Sequence, residues 1–141
     1  MSTALTILKK LESIDVTEAA RVSITNTKDY AVAQQKLQLF QGIGADDLKI
    51  IPSYSKKTIA IKITKGQPID RVTLRDTGAF YQGIRIDVVG EVIRTDSVDE
   101  KSQDLQGRYG GEIFGMGTNY RTRYVKILLP EFIKQIRSKL N

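Results

Sequence analysis

The apolar positions change period several times along the chain. Leu5, Leu8 and Leu11 recur at helical spacing within residues 3–13, where Ser2 or Thr3 can serve as N-cap. A second helix is predicted from about Lys28 to Gln41, with Tyr30, Ala33, Leu37 and Phe40 as its apolar stripe. Thr27 is placed to cap it, Asp29 suits its positive end, and Gly42 and Gly44 end it. The stretch between, DVTEAARVSITNT, is ambiguous: it can begin as helix and finish extended, because Val22, Ile24 and Thr25 are poor helix formers.

The period then shortens. Ile59, Ile61 and Ile63 alternate with Ala60, Lys62 and Thr64 as in a half-exposed strand, with Pro52 and Gly66-Gln67-Pro68 marking loops on either side. Asp70 to Leu74 reads as a short extended run. Ala79 to Gln82 allows a brief helix before Gly83. Ile84, Ile86 and Val88 then alternate with Arg85 and Asp87, Gly90-Glu91 forms a two-residue hairpin turn, and Val92 to Thr95 returns. Ser97 with Glu100 spells a capping box for a helix from Val98 to about Gln106, stopped by Gly107. A glycine-rich loop, 107–118, follows. Pro130 suits the first turn of a last helix whose apolar face is Leu129, Phe132, Ile133, Ile136 and Leu140.

These elements predict an α+β fold: a small antiparallel sheet of about three or more strands with N-terminal helices, short inserted helices and a C-terminal amphipathic helix. The 141 residues suit one domain. Residues 1–44 form its helical N-terminal part, 58–118 the sheet with inserted helices and the glycine loop, and 119–141 the basic C-terminal helix.

Composition narrows the chemistry. Apolar residues make up 40% and charged residues 27%, as in globular protein. No membrane span and no leader peptide is expected. Cysteine is absent, which excludes disulfides and thiolate metal sites. Histidine is also absent, which removes the usual general base, the usual zinc ligand and every Ser-His or Cys-His pair. No cofactor, no metal site and no enzyme activity is expected. The net charge is +6, and residues 119–141 carry most of it: Arg121, Arg123, Lys126, Lys134, Arg137 and Lys139 against Glu131 leave +5. Such a segment faces nucleic acid, an acidic protein surface or simply solvent. As a free nucleic-acid-binding domain it would offer only Tyr120 and Tyr124 as stacking platforms.

Asp76-Thr77-Gly78-Ala79 also spells the catalytic loop of retroviral-type aspartic proteases, which are short, dimeric and need no histidine. On that alternative reading Asp76 is the catalytic acid, meeting its symmetry mate, with Ile113-Phe114-Gly115 as the later apolar-Gly motif. Arg75 beside the Asp, a helical turn after it and a charged segment in place of the flap speak against it. The structural alternative is a helix start, in which Asp76 or Thr77 caps, Gly78 tolerates the strained approach, and Phe80 and Ile84 enter the core. The glycines of 107–117 match no phosphate-binding loop, and Asp96, Asp99, Glu100 and Asp104 do not have calcium-loop spacing.

The stretch from Val72 to Ile84, VTLRDTGAFYQGI, resembles a segment of the small tailed-phage proteins of the head–tail joining and tail-completion group: Thr-Gly-x-Leu, two residues, Ser-Ile. Thr77 and Gly78 match, Phe80 stands for the Leu, and Gly83-Ile84 for Ser-Ile. Tyr109, then Phe114-Gly115-Met116-Gly117, then Leu129-Pro130-Glu131-Phe132 is similar to that group's Tyr, Glu-x-Gly-Thr loop and terminal Pro-Phe-Leu. Glu112 stands for the loop acid and the Pro–Phe spacing differs. The resemblance covers roughly residues 72 to 140 and leaves the N-terminal helices unmatched.

It implies a non-enzymatic virion protein, assembled in the host cytoplasm and located in the neck or tail region, that forms homo-oligomeric rings. Its implied partners are portal, adaptor or tail proteins, with non-specific contact to channel DNA as a further expectation. Gly110, Gly111, Gly115 and Gly117 and the six basic residues of the last helix are then the candidate interface groups, while Asp76, Thr77, Gly78, Phe80 and Ile84 form the structural motif.

Overall fold

In the computed structural model, which describes residues 3–140, the fold is α+β: six α-helices and one two-stranded antiparallel sheet. The helices are α1 (Ala4–Ser13), α2 (Val16–Phe40), α3 (Lys56–Thr64), α4 (Ala79–Gln82), α5 (Ser102–Tyr109) and α6 (Thr118–Leu140). The strands are β1 (Ile84–Val89) and β2 (Val92–Ser97), and a 3-10 turn occupies Gly111–Ile113. No described helix is long and apolar enough to cross a membrane.

Thr3 caps α1, its Oγ1 accepting from Thr6 N. The ambiguous stretch resolves as helix: α2 is one element of 25 residues, begun by Asp15, whose carboxylate accepts from Glu18 N. Thr27 therefore does not cap; it lies mid-helix, donating to Ser23 O and sharing a 2.8 Å hydrogen bond with the Tyr124 hydroxyl. The predicted stripe is also displaced. Leu37 and Tyr30 are exposed, while the buried side of α2 carries Ala31, Gln34, Gln35, Gln38 and Leu39. Packing against α6 and β1 overrides the weak local propensity of Val22, Ile24 and Thr25.

The isoleucine alternation misleads. Residues 56–64 are helix α3, started by Ser55, whose Oγ accepts from Thr58 N. Three isoleucines at every second position spread around a helix, so Ile61 and Ile63 stay exposed and the buried residue is Lys62. Residues 70–74 join no sheet either. Val72, Thr73 and Leu74 are nonetheless buried, and Thr73 satisfies its backbone through two tyrosines: its N–H donates to Tyr54 Oη at 2.9 Å, and its carbonyl accepts from Tyr81 Oη at 2.5 Å. These hydroxyls satisfy backbone groups that a neighbouring strand would otherwise pair, and with 56–64 helical the sheet has two strands rather than three.

The hairpin forms as expected around Gly90-Glu91, with Ile84 paired to Ser97 and Val89 to Val92. Its buried side is Ile84 and Ile86, and Arg85 Nε meets Asp96 Oδ1 across the strands at 2.6 Å. Ser97 ends β2 instead of capping a helix: its Oγ donates to Phe80 O, and α5 begins only at Ser102 and runs past Gly107 to Tyr109. Pro130 lies inside α6 rather than at a start. The missing N–H and ring clash cost about 3 kcal/mol in an isolated helix, and here the helix is held along α2 by Tyr124, by Leu128 and by Asn26 Nδ2 donating to Glu131.

Two clusters make the core. The larger joins Leu39, Ile50, Val72, Leu74, Phe80, Tyr81, Ile84 and Ile113; the smaller joins Ala31, Ile86 and Tyr124, and Val32 packs against both.

Candidate functional site

Between α5 and α6 the glycine segment is held from below by α2. Gln35 and Gln38 lie one helical turn apart and are fully buried. Gln35 Nε2 donates to Ile113 O at 3.2 Å, and its Oε1 accepts from Gly115 N at 3.0 Å. Gln38 Nε2 donates to Gly115 O at 2.9 Å, and its Oε1 accepts from Gly117 N at 2.7 Å. The two amides thus occupy donors and acceptors on alternate residues, as the backbone of an adjacent strand would.

Asp47, reaching in from the loop after α2, completes the clamp: Oδ1 accepts from Thr118 N at 2.7 Å and Oδ2 from Thr118 Oγ1 at 2.5 Å. It caps the start of α6 from 71 residues away. These bonds hold its carboxyl below the usual carboxylate range, the Thr118 hydroxyl contributing most. A Cβ on Gly117 would collide with Asp47 Oδ1 and lie 3.3 Å from Gly44 O, so only glycine fits without displacing the cap. The glycine-rich loop is therefore held in place over residues 113–117. Gly117 is buried and Gly115 half-buried, which leaves only Gly110 and Gly111 exposed for an interface.

Arg121, Arg123, Lys126, Lys134, Arg137 and Lys139 are all exposed on α6, and none makes an ion pair among the described residues. At about 100° per residue, Arg123, Lys126, Lys134 and Arg137 fall within an arc of roughly 80° on the solvent side. Arg121 and Lys139 fall on another edge, towards Asp47 and Glu18 respectively; Thr118 and Arg21 do most to hold those carboxyls low, and the two cations add to it. The predicted apolar face is split. Phe132, Ile136 and Leu140 are half-buried, whereas Leu129 and Ile133, in line with Val125, form an exposed ridge beside the basic stripe.

The Asp76-Thr77-Gly78 segment sits at the mouth of a cleft of about 190 Å³ lined by Tyr54, Lys62, Asp76, Phe80, Leu105 and Tyr109. Asp76 does not cap a helix. Its Oδ1 accepts from Lys65 Nζ at 2.7 Å and from Gln67 Nε2 at 3.3 Å, tying the loop to α3. Lys65 first, and then Gln67, hold its carboxyl below the usual range. The N-cap position of α4 belongs to Gly78, at φ 92°, which a residue with a side chain rarely adopts. Thr77 Oγ1 accepts from Ala79 N at 3.3 Å, and Phe80 and Ile84 enter the core as expected. Lys62 lies at the side of this cleft, 4.7 Å from the Tyr54 ring centroid, with its Nζ donating to Gln67 Oε1 and Arg75 O.

Gln35, Gln38, Asp47 and Lys62 were not singled out from the sequence. For the glutamines a signal existed: Gln35 lies midway between Ala31 and Leu39 at four-residue steps, so the three share one face. Among the described residues no group of three carboxylates is placed to hold a metal ion. Comparison of the chain with protein-family models, curated proteins and solved structures finds no match in any of the three.

Proposed function

We propose that the protein is a structural virion component of a tailed bacteriophage, a ring-forming neck or head–tail connector, or tail-completion subunit. The phage assignment rests on the resemblance of residues 72–84 and of the loop and last helix to that group. The observation that carries self-association is α1. This helix has 10 residues, none of them buried, with Leu5, Leu8 and Leu11 all on the surface. An isolated helix of that length is marginal in water, and its contact with α6 leaves the leucine stripe largely on the surface. Among the described residues its side chains make one hydrogen bond to the rest of the chain, from Lys10 Nζ to Leu140 O at 3.2 Å. A neighbouring subunit would supply the missing cover. The hairpin end, beside the start of α2, leaves Val89, Val92 and Ile93 exposed as well.

Among the described groups, Asp76 lends no support to the protease alternative. A catalytic dyad shares a proton between two carboxylates, which requires a raised pKa in one of them. Here Lys65 and Gln67 already occupy the carboxylate and stabilise its ionised form.

Native mass spectrometry and negative-stain imaging of the purified chain test the proposal. Closed rings, formed alone or on adding portal or tail proteins, are the expected result. A chain that stays monomeric and ignores those proteins would sink it.

A further inference from the structure

The chain is electrically lopsided at two separate places. Residues 96–112 hold Asp96, Asp99, Glu100, Asp104 and Glu112 against Lys101 and Arg108, a net of −3, while residues 119–141 hold +5. Three of the acids, Asp96, Asp99 and Glu100, line a polar groove of about 450 Å³ between β2 and α5, where Arg94 offsets one of them, while Asp104 and Glu112 lie outside it. Asp96 is paired with Arg85, but Asp99, Glu100, Asp104 and Glu112 make no ion pair among the described residues. The stripe of Arg123, Lys126, Lys134 and Arg137 is equally unpaired, so the two patches do not neutralise each other within one chain. Each patch also has exposed apolar neighbours: Val98, 63% exposed, beside the acids, and the Val125–Leu129–Ile133 ridge beside the bases.

Resting on the ring-forming reading, we propose that the occupant of the acidic groove is α6 of a second copy. The basic stripe of one subunit lies along the β2–α5 groove of the next, with the apolar ridge covered against Val98. When the stripe of each subunit meets the groove of the next, the contact is head-to-tail, the kind that closes into a ring when its rotation closes. A symmetric two-fold contact through either patch would set like charges against each other. Double-stranded DNA would satisfy the stripe but would leave the apolar ridge against phosphates.

Charge reversal decides it. One variant carries Lys126→Glu with Arg137→Glu, the other Glu100→Lys with Asp104→Lys; all four positions are exposed. Each variant alone should lose assembly by analytical ultracentrifugation while keeping its helical circular dichroism. Mixed in equal amounts the two should assemble again, because the reversed helix of one now fits the reversed groove of the other. The wild-type assembly should weaken as salt rises. Assembly that persists in both single variants overturns this interface and leaves the ring reading standing. Variants that fall apart but do not recover on mixing also overturn it. A wild-type chain that is monomeric under all conditions removes both.

Discussion

The loop before α6 and the helix at the N-terminal end are built in opposite ways. Residues 113–117 have no regular structure of their own beyond the end of one 3-10 turn, yet Gln35, Gln38 and Asp47 supply six hydrogen bonds to this segment and to Thr118, which opens α6. Helix α1 satisfies its own backbone and buries none of its side chains. Regular secondary structure is thus no guide to where this chain is held. The loop is held because polar groups from α2 are buried beneath it, whereas α1 touches α6 but buries none of its own side chains.

The comparison is broken most directly at the clamp. Gln38→Ala removes the donor to Gly115 O and the acceptor for Gly117 N and leaves both backbone groups without a partner. The expected loss is about 2–4 kcal/mol, read from the denaturant midpoint. Gln35→Ala should behave similarly. A loss under about 0.5 kcal/mol for either would mean that the loop does not depend on these amides. Gly117→Ala should come next, costing roughly 1–3 kcal/mol, because the new methyl must push Asp47 off Thr118. Combining Gly117→Ala with Asp47→Ala should cost less than the sum of the two, since both act on one cap.

That clamp also marks the limit of what the sequence discloses. The hairpin was legible to within a residue or two, because two alternating runs around Gly90-Glu91 admit one pairing. The short helix at Ala79 and the buried Phe80 and Ile84 were legible for the same local reason. The buried side of α2 was not. Hydrophobicity points to Leu37 and Tyr30, whereas the fold buries Gln35 and Gln38, whose partners lie about 80 residues away in sequence. No local rule can identify a glutamine whose acceptor is a distant glycine carbonyl. The third strand failed because the isoleucine alternation at 59–63 folds as α3, and the extended run at 70–74 pairs Thr73 with Tyr54 and Tyr81 hydroxyls instead of with a strand. Of the candidate interface, the charge of α6 was legible, but its division into a solvent stripe and an edge facing Asp47 and Glu18 needed the fold.

Acid sharpens the contrast without a mutation. Glu18, Asp47, Asp76, Asp96 and Glu131 all have carboxyls held below their ordinary values by hydrogen-bonded partners. A lowered folded-state value means stability that is present above the unfolded pKa and is lost as pH falls through the folded one. With no histidine, stability should be flat between about pH 6 and 8 and decline only as pH drops below the ordinary carboxylate range of about 4. Thermal melts along a pH series check this. A transition near pH 6.5 would contradict it. Protonation of Asp47 should loosen its cap, visible as faster amide exchange at Thr118. Asp76→Asn is milder still. Its Lys65 pair is exposed, so the expected cost is at most about 1 kcal/mol, and no peptidase activity should change. Loss of a measurable peptidase on this substitution would reinstate Asp76 as a catalytic acid.

The smallest stability effect should belong to α1, and it should carry the largest effect on assembly. Leu8→Ser with Leu11→Ser removes apolar side chains that are 51% and 43% exposed, so a monomer should change by no more than about 0.5 kcal/mol. If α1 is completed by a neighbouring subunit, the same pair of substitutions should dissolve the ring, because the lost contacts exist only between chains. Circular dichroism melts of the dilute chain and native mass spectra of the concentrated one separate the two effects. Unchanged rings would show that α1 lies outside the subunit contact, and a large drop in monomer stability would show that the leucines are covered within one chain after all. The clamp variants provide the control. Gln38→Ala should lower monomer stability severalfold more than the α1 pair, and it should disturb assembly only as far as it unfolds the loop that positions α6.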